Sequence, residues 1–194
     1  DDNNPNKNDR KDPKTIAALV NEGRFSYPYI STGIYAEIRN LSNLRFQTQE
    51  ELTRIKNRIA RWFSIYFPEY QDVYGDLKAV SGRMILKVIP LPEDIRRLGA
   101  EGVNLIWREA KLRGAGMKRA KTLVTAAEHS VGSKEAPEAA RIELRNLLSD
   151  MDVYALRLEE LLQSIDEKLK EIPYIDKLMG IKGIGLVTVS GFIA

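Results

Sequence analysis

Three features predict a mainly α protein, built from long coiled-coil helices and a helical segment of helix-hairpin-helix type. The first is an apolar repeat of Leu144, Leu148, Met151, Ala155, Leu158, Leu162, Ile165, Leu169 and Ile172, stepping by alternating fours and threes. That is a 3.5-residue period held for about four heptads, the spacing that keeps one seam facing a partner helix. The second is a similar pattern through Leu41, Leu44, Thr48, Leu52, Ile55, Ile59, Trp62 and Tyr66. The third is a Gly-x-Gly corner between helical stretches that occurs twice, at Gly114 and Gly116 and again at Gly183 and Gly185.

Taken in order, the polar run DDNNPNKNDRKDPK reads as a loop or tail. TIAALV then forms a short helix opened by Pro13, where a missing N–H costs nothing, and closed by Gly23. Pro28 disfavours helical angles at Tyr27, so RFSYPYIST is an extended connector. A long helix follows from Gly33 to Pro68, with Arg54, Lys56, Arg58 and Arg61 on faces away from its seam. Residues 69–132 read as several short helices; in LPEDIRRL the acids of the first turn suit the helix dipole. MILKVI, residues 84–89, is the only strand-like run before Gly183. Ser133 is the expected cap of the second long helix, with Pro137 in its opening turn. At about 1.5 Å per residue its seam spans roughly 40 Å, so it needs another helix from this chain or from a second copy. The first long helix is the candidate, giving an antiparallel or intersubunit coil.

Composition narrows the class. Of 194 residues 43 % are apolar, enough for a core, and the net charge of +3 with a pI near 9.0 permits a nucleic-acid partner without demanding one. There is no cysteine, which excludes disulfides and thiolate metal sites. No apolar run approaches the ~20 residues of a membrane span, and no signal-peptide core opens the chain; a cytoplasmic protein with no membrane role is expected.

The glycine corners carry the most chemistry. Glycines there can take backbone angles that side chains forbid, and they let a phosphate approach the free N–H groups of the next helix. Around the first corner stand Arg108, Lys111, Arg113, Lys118, Arg119 and Lys121, opposed locally by Glu109, with Ala120 at the small position that lets two helices pack closely. The second corner has Lys177 and Lys182 nearby, and Val189 at the equivalent place. Six cations beside an anion-ready helix start would contact several phosphates, with steep salt dependence. A tight turn with solvated cations and no ligand is the competing account of either corner. Asp9 and Asp12, three apart, could share a divalent metal such as Mg²⁺ through oxygen ligands. Pro13 weakens that geometry, and on the residues alone Asp12 as an N-cap beside a loop acid is the preferred account. His129 has no partner for a triad or zinc site and reads as structural. Trp62, Phe63, Tyr66, Phe67 and Tyr70 read as core, and Ser190 as a packing residue rather than a nucleophile.

With these residues in view, the chain resembles the Piv-like DEDD transposases of the insertion-sequence one-ten group, RNA-guided recombinases. The likeness runs through NKNDRKDPKTIAALV, LTRIKNRIARWFSIYFPEY, PLPEDIRRLGAEGV, RGAGMKRAKTLVTAAEHSVG, ARIELRNLL and IKGIGLVTVSGFIA. It implies a RuvC-like nuclease domain with four acids, a coiled-coil region and a transposase domain with helix-hairpin-helix elements. Asp9 and Asp12 match the third and fourth acids of that tetrad, with Mg²⁺ as cofactor; the first two acids, and a serine nucleophile past the GIG corner, would lie outside this text. On that resemblance residues 1–31 are expected to be the end of the RuvC-like domain and 32–72 the first coiled-coil helix. Residues 73–132 would hold the first hairpin motif, 133–173 the second long helix, and 174–194 the start of the second hairpin. The implied partners are DNA, a structured guide RNA and a second copy of the chain. The expected function is that of a fragment of a DNA transposase that takes part in transposition, inactive alone in strand transfer. The alternative is a non-catalytic helical dimer that binds nucleic acid through its basic corner; a third class is a coiled-coil assembly factor with no nucleic-acid role.

Overall fold

The computed structural model describes residues 12–27, 30–75, 77–112 and 115–194, and every regular element among them is helical. In chain order these are α1 (Asp12–Asn21), α2 (Gly33–Tyr66), α3 (Tyr70–Tyr74), α4 (Val80–Val88) and α5 (Pro92–Glu109). They are followed by α6 (Met117–Glu128), α7 (Pro137–Leu169), α8 (Ile175–Met179) and α9 (Leu186–Ile193).

The two long helices pair with each other inside one chain, antiparallel. At one end the indole N–H of Trp62, late in α2, donates to the carbonyl of Ala140, early in α7, at 3.0 Å. At the other, Ile38 of α2 packs with Ile165 and Leu169 of α7. The seam read from the sequence is the buried one: Thr48, Leu52, Ile55, Ile59 and Trp62 on α2 meet Leu144, Leu148, Met151, Leu158, Ile165 and Leu169 on α7. Thr48 tolerates burial because its hydroxyl donates to the carbonyl of Leu44 at 2.7 Å, which leaves no orphan polar group. The repeat departs from the seam at Leu44 and Ala155, both exposed.

Each end of the pair carries its own core. Around the α2 C-terminus, α3, α4, α5 and α6 gather against α7, burying Phe63, Phe67, Tyr70, Ile85, Ile95, Trp107 and Leu123. At the far end α8 and α9 close over the α2 N-terminus, with Ile172, Ile175 and Val189 buried beside Ile38. The near edges of the two cores, Leu158 and Ile165 on α7, are about 10 Å apart along the helix.

Several local expectations are corrected. MILKVI is helical up to Val88, the last residue of α4, with Ile85 and Leu86 buried in the core. Ser133 does not cap α7. Its hydroxyl accepts from the N–H of Glu135 in the preceding loop, and the cap position falls on Ala136 in left-handed conformation (φ 50°). The several short helices expected over 69–132 include the two pieces of α5, which meet across a kink at Gly99 (φ 69°), a non-helical conformation that favours glycine. The aromatic run is core as expected, with Phe63 and Tyr70 stacked at 4.6 Å. His129 ends α6, exposed, and Ser190 is buried with its hydroxyl on the carbonyl of Val187.

Candidate nucleic-acid interface

Two helices build the first corner. α5 ends where Lys111 takes a left-handed conformation (φ 53°), its N–H donating to the carbonyl of Arg108 and that of Leu112 to Trp107. This is the helix-stopping geometry usually given to glycine or asparagine, here occupied by a lysine. Arg113 and Gly114 lie outside the described residues. Gly116 then stands as the N-cap of α6 with extended backbone, and no side chain caps that helix start. A Cβ at Gly116 would meet no atom of the described residues within 4 Å. Ala120, one turn on, is fully buried.

The cations point outward. Arg108, Lys111, Lys118, Arg119 and Lys121 are all exposed, as is Glu109. Lys118 and Arg119 border a cleft of about 590 Å³ with Gly116, Met117 and Thr122, closed on the far side by Asp72 and Val73 of α3. The guanidinium of Arg119 lies over the ring of Tyr74, 5.4 Å from its centroid, which holds that charge at the cleft in place of a freely rotating side chain. Asp72 and Tyr74 were not legible as part of this corner, since α3 reaches it only through the fold. Asp72 brings a second acid to a site where Glu109 is the local one.

At the second corner only Gly183 needs glycine for its angles, with φ 90°. Gly185 caps α9 in extended conformation, and Lys177 and Lys182 are exposed nearby. The two corners belong to opposite ends of the α2–α7 pair, so the fold does not bring them into one site. α9 also supplies Val189 to the core at the place where the first corner has Ala120.

Asp9 lies outside the described residues; Asp12 begins α1, and its side chain is not described. Among the described residues no group of three or more acidic, histidine or cysteine side chains could hold a metal ion. The Mg²⁺ implied by the resemblance thus has no ligand set in the described part of the chain. Nor is any described helix long and apolar enough to cross a membrane.

Comparison with known proteins gives one positive result. Residues 1–68 match the family model described as a transposase, that of the DEDD enzymes of the insertion-sequence one-ten group. The stretch includes Asp9, Asp12, α1 and all of α2 up to its exit at Phe67. No curated protein and no solved structure matches the chain.

Proposed function

We propose that this chain, with the family likeness of its first 68 residues as premise, is the part of a DNA transposase that grips nucleic acid at the α5–α6 corner. The observation that carries the reading is the start of α6, uncapped by any side chain and flanked by exposed Lys118, Arg119 and Lys121. The first amides of a helix have no partners within it and sit at the positive end of its dipole. A phosphate there would take hydrogen bonds from backbone amides and ion pairs from the lysines and arginines, and neighbouring phosphates would fall to Arg108 and Lys111. Such contacts position a strand without reading its sequence. Selecting a site would fall to other parts of the complex, among them the guide RNA that the resemblance implies.

Asp9 and Asp12 enter this reading as two of the four carboxylates that the resemblance implies for a metal-dependent cleavage centre. A homo-oligomer is also part of it. Because the α2–α7 seam is filled from within, a second copy would meet other surfaces, where Phe46 and Leu156 are exposed.

The test is a titration of labelled duplex DNA at several salt concentrations. Each phosphate contact adds about −0.9 to the slope of log affinity against log salt. Reversing Lys118, Arg119 and Lys121 to glutamate should flatten that slope by roughly two to three and weaken binding at every salt concentration. An unchanged slope in that variant would remove the corner from the interface and leave the assembly-factor reading.

A further inference from the structure

The two tyrosines that bound α3, Tyr70 and Tyr74, stand one helical turn apart and so share a face. The fold turns that spacing into a stack of rings. Phe63 of α2 lies nearly parallel to Tyr70, with centroids 4.6 Å apart, and Tyr70 stacks on Tyr74 at 5.0 Å. Arg119 of α6 ends the series, its guanidinium 5.4 Å over the centroid of Tyr74. The inner rings are fixed, since Phe63 and Tyr70 are both buried in the core around Trp62 and Trp107. Gly82 of α4 sits against both tyrosines. A Cβ there would lie 2.2 Å from Tyr70 Oη and 2.9 Å from Tyr74 Cδ1, so glycine is what leaves the two rings room. The stack thus runs from the core to the cleft where Arg119 stands beside Lys118.

Asp72 lines the same cleft, yet among the described residues no ion pair joins it to Arg119, which rests on the ring instead. The difference matters to an anion. A carboxylate would cancel the charge and occupy the N–H donors of the guanidinium. An aromatic face attracts the cation through its quadrupole and leaves those donors free. An arginine held this way keeps its charge and loses less side-chain freedom when a phosphate accepts from it.

We propose that Tyr74, backed by Tyr70 and Phe63, is a positioning residue of the corner, holding Arg119 at the cleft as a preformed phosphate ligand. The inference rests on the nucleic-acid reading of the α5–α6 corner and adds to it a residue that itself touches no phosphate. The ring carries the role and the hydroxyl does not, so phenylalanine should serve at position 74 and an aliphatic side chain should not.

A double-mutant cycle on labelled duplex DNA at fixed salt tests this, with folding checked by circular dichroism. Arg119→Gln should weaken binding about 5- to 10-fold. Tyr74→Leu should weaken it about 2- to 5-fold, and Tyr74→Phe should stay within about 1.5-fold of wild type. In the Arg119→Gln background, Tyr74→Leu should change affinity by less than about 1.5-fold, because the ring acts only through the arginine. An equal loss with and without Arg119 would make Tyr74 a structural prop of α3 and overturn the proposal. Wild-type affinity in Tyr74→Leu, with Arg119→Gln weakened, would overturn it and leave the corner reading standing. If Arg119→Gln binds as wild type, the arginine is no phosphate ligand and the proposal falls, while reversal of Lys118, Arg119 and Lys121 together still decides the corner. Nuclear magnetic resonance of the free protein gives a readout independent of nucleic acid. The Arg119 side-chain protons should carry the upfield shift of a group above an aromatic ring, keep it in Tyr74→Phe and lose it in Tyr74→Leu. Unshifted protons in the wild type would show the guanidinium free of the ring and overturn the proposal as well.

Discussion

Arg141 closes on Asp94 through two hydrogen bonds, Nε to Oδ2 and Nη2 to Oδ1, each 3.0 Å. The aspartate is buried in the first turn of α5, and Arg141 stands on the first turns of α7, so the pair bolts the two helices together. Arg97 adds a longer bond at 3.2 Å, and Glu138 holds the remaining edge of the Arg141 guanidinium. Paired carboxylate and guanidinium keep the arginine's pKa raised, chiefly through the hydrogen bonds from Arg141 to Asp94. Removing one partner leaves a buried charge, which is the costly half of the exchange. Arg141→Ala should destabilise the chain by about 3 kcal/mol. Urea unfolding would measure it, and a loss under about 1 kcal/mol would show the pair to be solvated after all.

Glu69 ties the loop after α6 to the end of α2. Its carboxylate accepts from the Ser130 hydroxyl at 2.6 Å and from the N–H of Val131 at 2.8 Å. Partial burial acts to raise its pKa, but these hydrogen bonds outweigh burial and hold it below the ordinary carboxylate value. With the folded pKa depressed, the unfolded chain binds the proton more readily. The tie therefore contributes stability above the unfolded pKa of about 4.3, and that contribution is lost as pH falls through the lower folded value. Between pH 7 and pH 3.5 the wild type should lose more thermal stability than Glu69→Gln. Parallel pH profiles in the two proteins would refute the assignment.

The same loop explains what the sequence could and could not disclose. The α2 and α7 seams were legible because periodicity alone sets which side chains face a partner, and their pairing followed from the burial that length demands. Ser133 misled because serine before an acidic, proline-opened helix is a sound local signal. The chain at 130–133 is instead held by Glu69 and by the bond from the Ser133 N–H to the Ile65 carbonyl at 2.7 Å, which shifts the helix start to Pro137. At the corner, Lys118, Arg119 and Ala120 could be named from local text. Asp72 and Tyr74 could not, because they arrive on α3 by tertiary packing.

Gly132 sits where that loop crosses α2. A Cβ there would lie 2.1 Å from the Tyr66 carbonyl oxygen and 2.5 Å from its carbon, both backbone atoms of a helix end that cannot swing aside. Gly132→Ala should cost about 2 kcal/mol through this overlap, a fall of roughly 4–8 °C in thermal midpoint for a chain of this size. Val131→Ala, at the exposed neighbouring position, is the control and should change the midpoint little. Equal midpoints for Gly132→Ala and wild type would mean that the loop can lift off the helix end at no cost.

Gly183 offers the opposite case, a glycine required by angle and not by space. Its φ is 90°, yet a Cβ would meet nothing within 4 Å, so Gly183→Ala is strained in the backbone alone, by about 1–2 kcal/mol. The strain falls on the α8–α9 end, whose core of Ile38, Ile165, Leu169, Ile172, Ile175 and Val189 is separate from the one around Trp62 and Trp107. Clusters joined only by a helix pair can open independently, so the effect should stay local. Hydrogen exchange should show faster amide exchange across residues 175–193 and unchanged protection across 92–128. Duplex affinity at the α5–α6 corner should hold within about twofold, whereas loss of protection in both regions would mean that the two ends unfold as one unit and that the α2–α7 pair transmits strain along its length.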